Sequence, residues 1–279
     1  MEDESTPSHL ILPTLTATEM NYFCAMIFVD THTHLYDERL ITDEHQIDRA
    51  IAAGVTKMYM PNCNSETIAG MLQLADKWPA NCLPMMGLHP CYVKEDYKNE
   101  LQTVSEQLTQ RKYHAVGEIG LDYYWDMTFK AQQIEAFEYQ IDLALQHQLP
   151  IVIHSRESTR DCIDIVRKKQ DGRLKGVFHC YSGTLEEAKE ILELGFYLGI
   201  GGVVTYSKGS LPDIVKEVPL SVIILETDAP YLAPVPYRGK RNESSYIPVI
   251  AARIAELKGI QVEEVAETTT ANANIIFGS

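Results

Sequence analysis

Apolar runs rich in β-branched and aromatic residues alternate with amphipathic, helix-length stretches along this chain. Eight such runs can be read, at 26–34, 55–63, 82–90, 114–124, 149–156, 174–183, 196–206 and 221–232. Their near-continuous apolar character predicts strands buried on both faces in a parallel sheet. Helices are predicted between them. One spans 43–54 and ends in a glycine; the next spans 65–78, with Ser65 as its N-cap. A charged helix ends near Lys112, and another covers 129–148, where Ile134, Phe137, Ile141 and Leu145 recur at helical spacing. After the fifth run comes 158–172, and after the sixth 184–195, opened by a Thr184/Glu187 capping box. A short helix near 211–217 and two C-terminal helices, 246–258 and 261–276, complete the pattern.

The polar residues that end these runs are the most informative feature of the chain. His32 and His34 follow IFVD, Glu118 follows the fourth run, His154 follows PIVI, His179 follows GVF, and Asp228 follows VIILET. A doubly wound open sheet gathers its site at one switch point. Here polar clusters follow at least seven of the eight runs, and a barrel, whose strand ends all converge on one face, explains that better. The expected fold class is therefore α/β, a single TIM-type (β/α)8 barrel with C-terminal helices. A chain of 279 residues fits one such barrel, which takes about 250.

Residues i and i+2 of a strand point the same way, so His32 and His34 can offer two imidazoles to one ion. Glu118 sits in a buried run between glycines, where a carboxylate is costly unless paired or metal-bound. It could bridge two ions, or form a buried salt bridge to Arg156. His154 and His179 occupy equivalent places in consecutive βα units, which favours ligation over two unrelated core histidines. Histidine and carboxylate together point to two divalent metal ions and an activated water, and they do not choose among Mg²⁺, Mn²⁺, Zn²⁺, Co²⁺ and Ni²⁺. The chain has no P-loop, no dinucleotide fingerprint and no G-x-S-x-G elbow.

Charge and cysteine content narrow the picture. The formal net charge of −15 argues against a broad, non-specific nucleic-acid surface, though metal ions and a local basic cluster can still hold phosphates. None of the six cysteines forms a CxxC pair, and they are expected to be reduced in a cytoplasmic protein. No apolar run reaches the roughly 18–20 residues needed to span a bilayer. Residues 1–25 begin acidic and precede the first strand; they read as an N-terminal extension, with His9 a solvated bystander, ahead of a hydrolase barrel over 26–279.

The stretches FVDTHTHL (28–35), MGLHP (86–90), VGEIGLDYY (116–124), LPIVIHSRES (149–158), FHCYSGT (178–184), ILETDAPYLAPVPYRGKRNES (224–244) and ANANIIF (271–277) carry a resemblance. Together they resemble the TatD family of metal-dependent deoxyribonucleases, in the amidohydrolase-like TIM-barrel superfamily. The resemblance implies one metal site at His32, His34 and Asp228, a second at His154 and His179, and Glu118 as the bridging ligand. It also implies that Asp228 takes the proton of the nucleophilic water, that Glu226 is an active-site carboxylate, and that His89 is a pocket histidine contacting phosphate or a leaving group. Departures are small: Thr31 and Thr33 flank His32 where many members have Ser and Cys, and Tyr181 stands where Phe is common.

Substrate-facing candidates are Arg156, Lys208, and the compact basic cluster of Arg238, Lys240 and Arg241. The cluster either offsets phosphate charge or is a surface loop, with Arg241 clamped to an acidic neighbour. Tyr123, Tyr124 and Trp125 either stack bases or pack the rim. The function expected from the resemblance is a 3′→5′ exodeoxyribonuclease on single-stranded DNA, with RNA as a further substrate class. The alternative is an amide or ester hydrolase, such as an aminoacyl-tRNA deacylase, using the same site. A non-catalytic nucleic-acid binder would leave the ligand set without a use.

Overall fold

The computed structural model describes residues 26–278. The expected extension over 1–25, with His9 and Cys24 in it, lies outside the described residues. Eight parallel strands are present: β1 (Phe28–Asp30), β2 (Val55–Met60), β3 (Cys82–Pro84), β4 (Val116–Asp122), β5 (Ile151–Arg156), β6 (Gly176–Phe178), β7 (Tyr197–Ile200) and β8 (Ile223–Leu225). Regular pairing joins β1-β2-β3 and β4-β5-β6-β7-β8. The two seams are bridged by Met86 with Val116 and by Thr33 with Ala229. Thr31 N donates to Leu225 O at 3.0 Å and Asp228 N to His32 O at 2.9 Å, which ties β1 to the β8 segment. The result is a TIM-type α/β barrel, as the alternation of runs predicts.

Helices α1 (Glu38–Ile41) and α2 (Gln46–Ala52) follow β1, and α3 (Ile68–Lys77) follows β2. They are succeeded by α4 (Tyr97–Gln110), α5 (Lys130–His147), α6 (Thr159–Lys169), α7 (Leu185–Glu193), α8 (Leu211–Glu217), α9 (Ile247–Lys258) and α10 (Val262–Phe277). The predicted 43–54 helix proves to be α2 alone, preceded by the separate turn of α1. The strands are shorter than the apolar runs because the last residues of each run form the loops of the mouth. The seventh run, for example, ends in a 3-10 turn over Gly202–Thr205.

Two apolar layers hold the barrel. One packs strand residues such as Phe28, Met58 and Ile153 against the surrounding helices. The other gathers Val29, Tyr59, Leu83, Val152, Val177 and Ile224 with Ala273, Ile276 and Phe277 of α10. Asn272 Nδ2 donates to Ile223 O at 2.7 Å, and Thr270 Oγ1 to Ile27 O at 2.9 Å. These bonds seat α10 across the ends where the strands begin, so the opposite ends are left to form the site.

Period-two alternation then aims the polar residues. Val152 and His154 share a face of β5, Val177 and His179 share one on β6, and Ile224 leads through Glu226 to Asp228. On β4 the pairing with β5 is irregular between Val116 and Ile119, which accommodates Glu118 among the strand ends. Gly120, at φ +136°, permits the contact: a Cβ there would lie 2.1 Å from His154 O. Asp30, fully buried, fixes the β1–β8 seam. Its carboxylate accepts from Thr227 N at 3.0 Å and Thr227 Oγ1 at 2.6 Å, and burial raises its pKa to about 7.

Candidate metal centre

A cavity of about 680 Å³ opens at the C-terminal ends of the strands, and His34, His89, Glu118, His154, His179 and Asp228 line it. The Glu118 carboxylate is its hub. Oε1 lies 2.9 Å from His154 Nδ1, 2.9 Å from His179 Nε2 and 3.4 Å from His89 Nε2. Oε2 lies 3.1 Å from His32 Nε2 and 3.6 Å from His34 Nε2. Asp228 Oδ1 stands 3.5 Å from His34 Nε2 and 3.8 Å from His32 Nε2. One carboxylate thus faces two groups of imidazoles, one with each oxygen.

Asp228 reaches this position from a turn beyond β8, where its φ of +55° lies in the left-handed region. Asp tolerates that region better than most residues, and such backbone strain is common at functional sites.

Contacts on the far side of the rings set what several of them offer the cavity. Tyr36 Oη donates to Pro61 O and lies 2.8 Å from His34 Nδ1, so Nδ1 donates to it, and Nε2, which faces Asp228 and Glu118, is the nitrogen a cation would bind. At His89 the order is reversed. Its Nδ1 accepts from Cys91 N at 3.0 Å, so a neutral ring carries its proton on Nε2 and donates into the site. His179 Nδ1 is 3.4 Å from Glu226 Oε1. His154 Nε2 is 2.8 Å from Asp122 Oδ2. His32 stacks on His179, with ring centroids 3.7 Å apart, and its Nδ1 has no hydrogen-bond partner among the described residues.

The electrostatics follow from this crowding. Burial alone would raise the pKa of Glu118, but His179, His89, His32 and His154 hold it well below the usual carboxylate range. Burial disfavours charge on His179, yet Glu118 and Glu226 outweigh it and raise its pKa well above the ordinary histidine value. His34 is raised against burial by Tyr36, Cys63 and Asp228, and His154 by Asp122 and Glu118. Burial lowers His32 and His89, which favours neutral rings. Asp228 is lowered because His34, His179 and His32 outweigh its burial.

Among the described residues, three groups bring possible ligand atoms within 4.8 Å of one another: His32, His34 and Asp228; His89, Glu118 and His154; and His32, His179 and Glu226. The first is well suited to a cation, since Tyr36 holds the Nδ1 side of His34 and leaves Nε2 facing inward. In the second, His89 points an N–H rather than a lone pair. In the third, Glu226 does not line the cavity. It lies behind His179, where its Oε1 also accepts from Cys180 N at 2.5 Å. Gly199 makes room for it, because a Cβ there would lie 2.2 Å from Glu226 Oε2.

Of the cationic candidates, Arg156 lines the cavity, with its guanidinium 3.8 Å from the centre of the Tyr124 ring and 5.2 Å from that of Trp125. It is not the partner of Glu118, whose oxygens face imidazoles. Lys208, Arg238, Lys240 and Arg241 are exposed and lie outside the cavity lining. Arg238 rests over Tyr206 at 4.4 Å. Arg241 donates to Asp43 Oδ2 at 2.6 Å and to Arg39 O at 2.7 Å, so its guanidinium clamps the α1–α2 segment instead of reaching the mouth. Tyr123 Oη is bonded to Asp161 at 2.8 Å, while Tyr124 and Trp125 are exposed. Sequence reasoning missed Asp122, Tyr36, Tyr92 and Tyr231. A usable signal existed for Asp122, a second carboxylate in the same buried run as Glu118.

The model of the family described as "TatD related DNase" matches residues 29–278. The chain is 39% identical to an uncharacterized metal-dependent hydrolase, YabD, of Bacillus subtilis over 254 residues, covering 90% of this chain and 99% of that one. It is 33% identical to the uncharacterized metal-dependent hydrolase YcfH of Escherichia coli, covering 90% and 96%. The crystal structure of YjjV, a TatD homolog from Escherichia coli, superposes with a TM-score of 0.85 at 30% identity, covering 90% of this chain and 98% of that one.

Proposed function

The chain belongs to the TatD family of metal-dependent hydrolases, and we propose that it is a phosphodiesterase, a 3′→5′ exodeoxyribonuclease acting on single-stranded DNA. The observation that carries this reading is the placement of Glu118, with His154 and His179 at one oxygen and His32 and His34 at the other. His32, His34 and Asp228 would hold one divalent cation, His154 and His179 a second, and Glu118 would bridge them. Cations so held lower the pKa of water from about 15.7 toward 7 and polarise a phosphoryl oxygen.

The chain's own groups supply the rest. Asp228, kept ionised by its histidine neighbours, accepts the proton of the attacking water. The water oxygen bonds to phosphorus as the bond to the 3′-oxygen of the preceding nucleotide breaks. His89, neutral and with its proton on Nε2, donates a hydrogen bond to that departing oxygen, which leaves as a hydroxyl by taking up the proton that Asp228 accepted. A 5′-mononucleotide and a strand one residue shorter, ending in a 3′-hydroxyl, are released. Arg156 neutralises phosphate charge at the mouth, and Tyr124 and Trp125 offer ring faces to unpaired bases. Glu226 orients His179 from behind rather than contacting the water.

The test is release of mononucleotides from 5′-labelled single-stranded DNA by chelator-treated protein resupplied with Mg²⁺ or Mn²⁺. A ladder shortened from the 3′ end, abolished by Glu118→Ala with the fold retained, is expected. Intact oligonucleotides together with cleavage of simple esters would replace this reading by an ester hydrolase.

A further inference from the structure

We propose that Asp122 is a positioning residue that fixes the tautomer of His154, so that this histidine binds a cation through Nδ1 while His32, His34 and His179 bind through Nε2. The inference rests on reading the strand-end cluster as a metal centre. It does not depend on which substrate that centre cleaves.

Asp122 is the last residue of β4 and is 1% exposed. Its neighbour β5 places His154 opposite Gly120 and Arg156 opposite Asp122. Asp122 Oδ2 faces His154 Nε2 at 2.8 Å, and Oδ1 accepts from Tyr124 N and Trp125 N, both at 3.0 Å. An ionised carboxylate only accepts, and each ring nitrogen faces one: Nε2 faces Asp122 Oδ2 and Nδ1 lies 2.9 Å from Glu118 Oε1, so the ring donates from both. A cation held at Glu118 would take the place of the Nδ1 proton, while Asp122, which is not among the residues that would hold a cation, keeps the proton on Nε2. Asp122 is itself anchored, because its N–H donates to Gln133 Oε1 of α5 at 2.9 Å.

The second consequence concerns the wall of the cavity. The Oδ1 bonds hold the start of the loop that carries Tyr124 and Trp125, and Arg156 stacks on both rings. One buried carboxylate therefore sets the ligand atom of His154 with one oxygen and the aromatic rim with the other.

Asp122→Asn separates these roles. The amide oxygen can still accept from the two loop N–H groups, while the NH₂ now donates to Nε2 and moves the ring proton to Nδ1. Isothermal titration of the full, chelator-treated chain with Mn²⁺ should then show one class of site weakened by about 10–100-fold, as for other second-sphere partners of ligating histidines. The other class should match wild type. Wild-type affinity for both ions, or equal weakening of both, would overturn the proposal. An independent readout needs no Asp122 variant. In long-range ¹H–¹⁵N spectra of ¹⁵N-histidine-labelled, Zn²⁺-loaded wild-type protein, the His154 signals, assigned with His154→Gln, should show a protonated Nε2. A protonated Nδ1 would overturn the proposal even if Asp122→Asn failed to fold. Absence of nuclease activity would alter neither measurement.

Discussion

Glu118→Gln removes one charge and almost no volume from the centre of five imidazoles, and its effect on the metal-free protein can be worked from the geometry. The nearest ring nitrogens lie 2.9 Å from the carboxylate and the farthest 3.6 Å. At an effective dielectric constant of about 20, a unit charge pair at such a distance is worth roughly 5 kcal/mol. Desolvation offsets much of this, and losing one partner of a buried pair costs about 3–5 kcal/mol. For a domain of this size each kcal/mol moves Tm by about 2–4 °C, so a fall of roughly 6–20 °C is expected.

The sign with pH follows from the shifts. His34, His154 and His179 have raised folded-state pKa values, so their contribution is full below the unfolded value of 6.5 and is lost as pH rises through the folded ones. Glu118 is lowered, so its contribution is present above 4.5 and lost as pH falls through its folded value. Thermal denaturation of chelator-treated wild type and Glu118→Gln should therefore differ most between about 4.5 and 6.5 and converge only as pH rises through the raised folded-state values of the histidines. A gap that stays constant or widens toward alkaline pH would refute the picture of a carboxylate neutralising charged imidazoles.

Other substitutions separate the roles assigned above. His89→Ala should lower kcat on single-stranded DNA by about 10²–10³-fold, the range for removing one preorganised donor, and His89→Gln, which keeps an N–H donor, should recover part of it in steady-state kinetics. Arg156→Ala should raise KM for oligonucleotides more than it lowers kcat, which a KM-against-kcat comparison would show. Arg241→Ala should leave cleavage unchanged and cost about 0–1 kcal/mol in denaturant titration, since its pair with Asp43 is partly exposed.

The fold and the gathering of these side chains at one mouth were legible in the sequence for the same reason. In β5, β6 and β8 the alternation that buries Val152, Val177 and Ile224 carries the next residues of that face, His154, His179 and Glu226, toward the strand ends. The basic cluster at 238–241 was visible as charge, but charge does not say which way a loop turns, and Asp43 holds Arg241 away from the mouth. Nor does sequence reveal ring tautomers. Whether His89 offers a lone pair or a proton depends on Cys91 N, and Glu226 lies behind His179 only because Gly199 leaves space for it. Among the described residues no helix is long and apolar enough to cross a membrane.

The most direct measurement is degradation of end-labelled single-stranded DNA by chelator-treated protein with and without added Mg²⁺ or Mn²⁺, run beside Glu118→Gln. Metal-restored, 3′-directed release of mononucleotides by the wild type and its absence in the variant is the expected result. Cleavage that survives chelation, or that persists undiminished in Glu118→Gln, would contradict a hydrolytic centre built on this carboxylate.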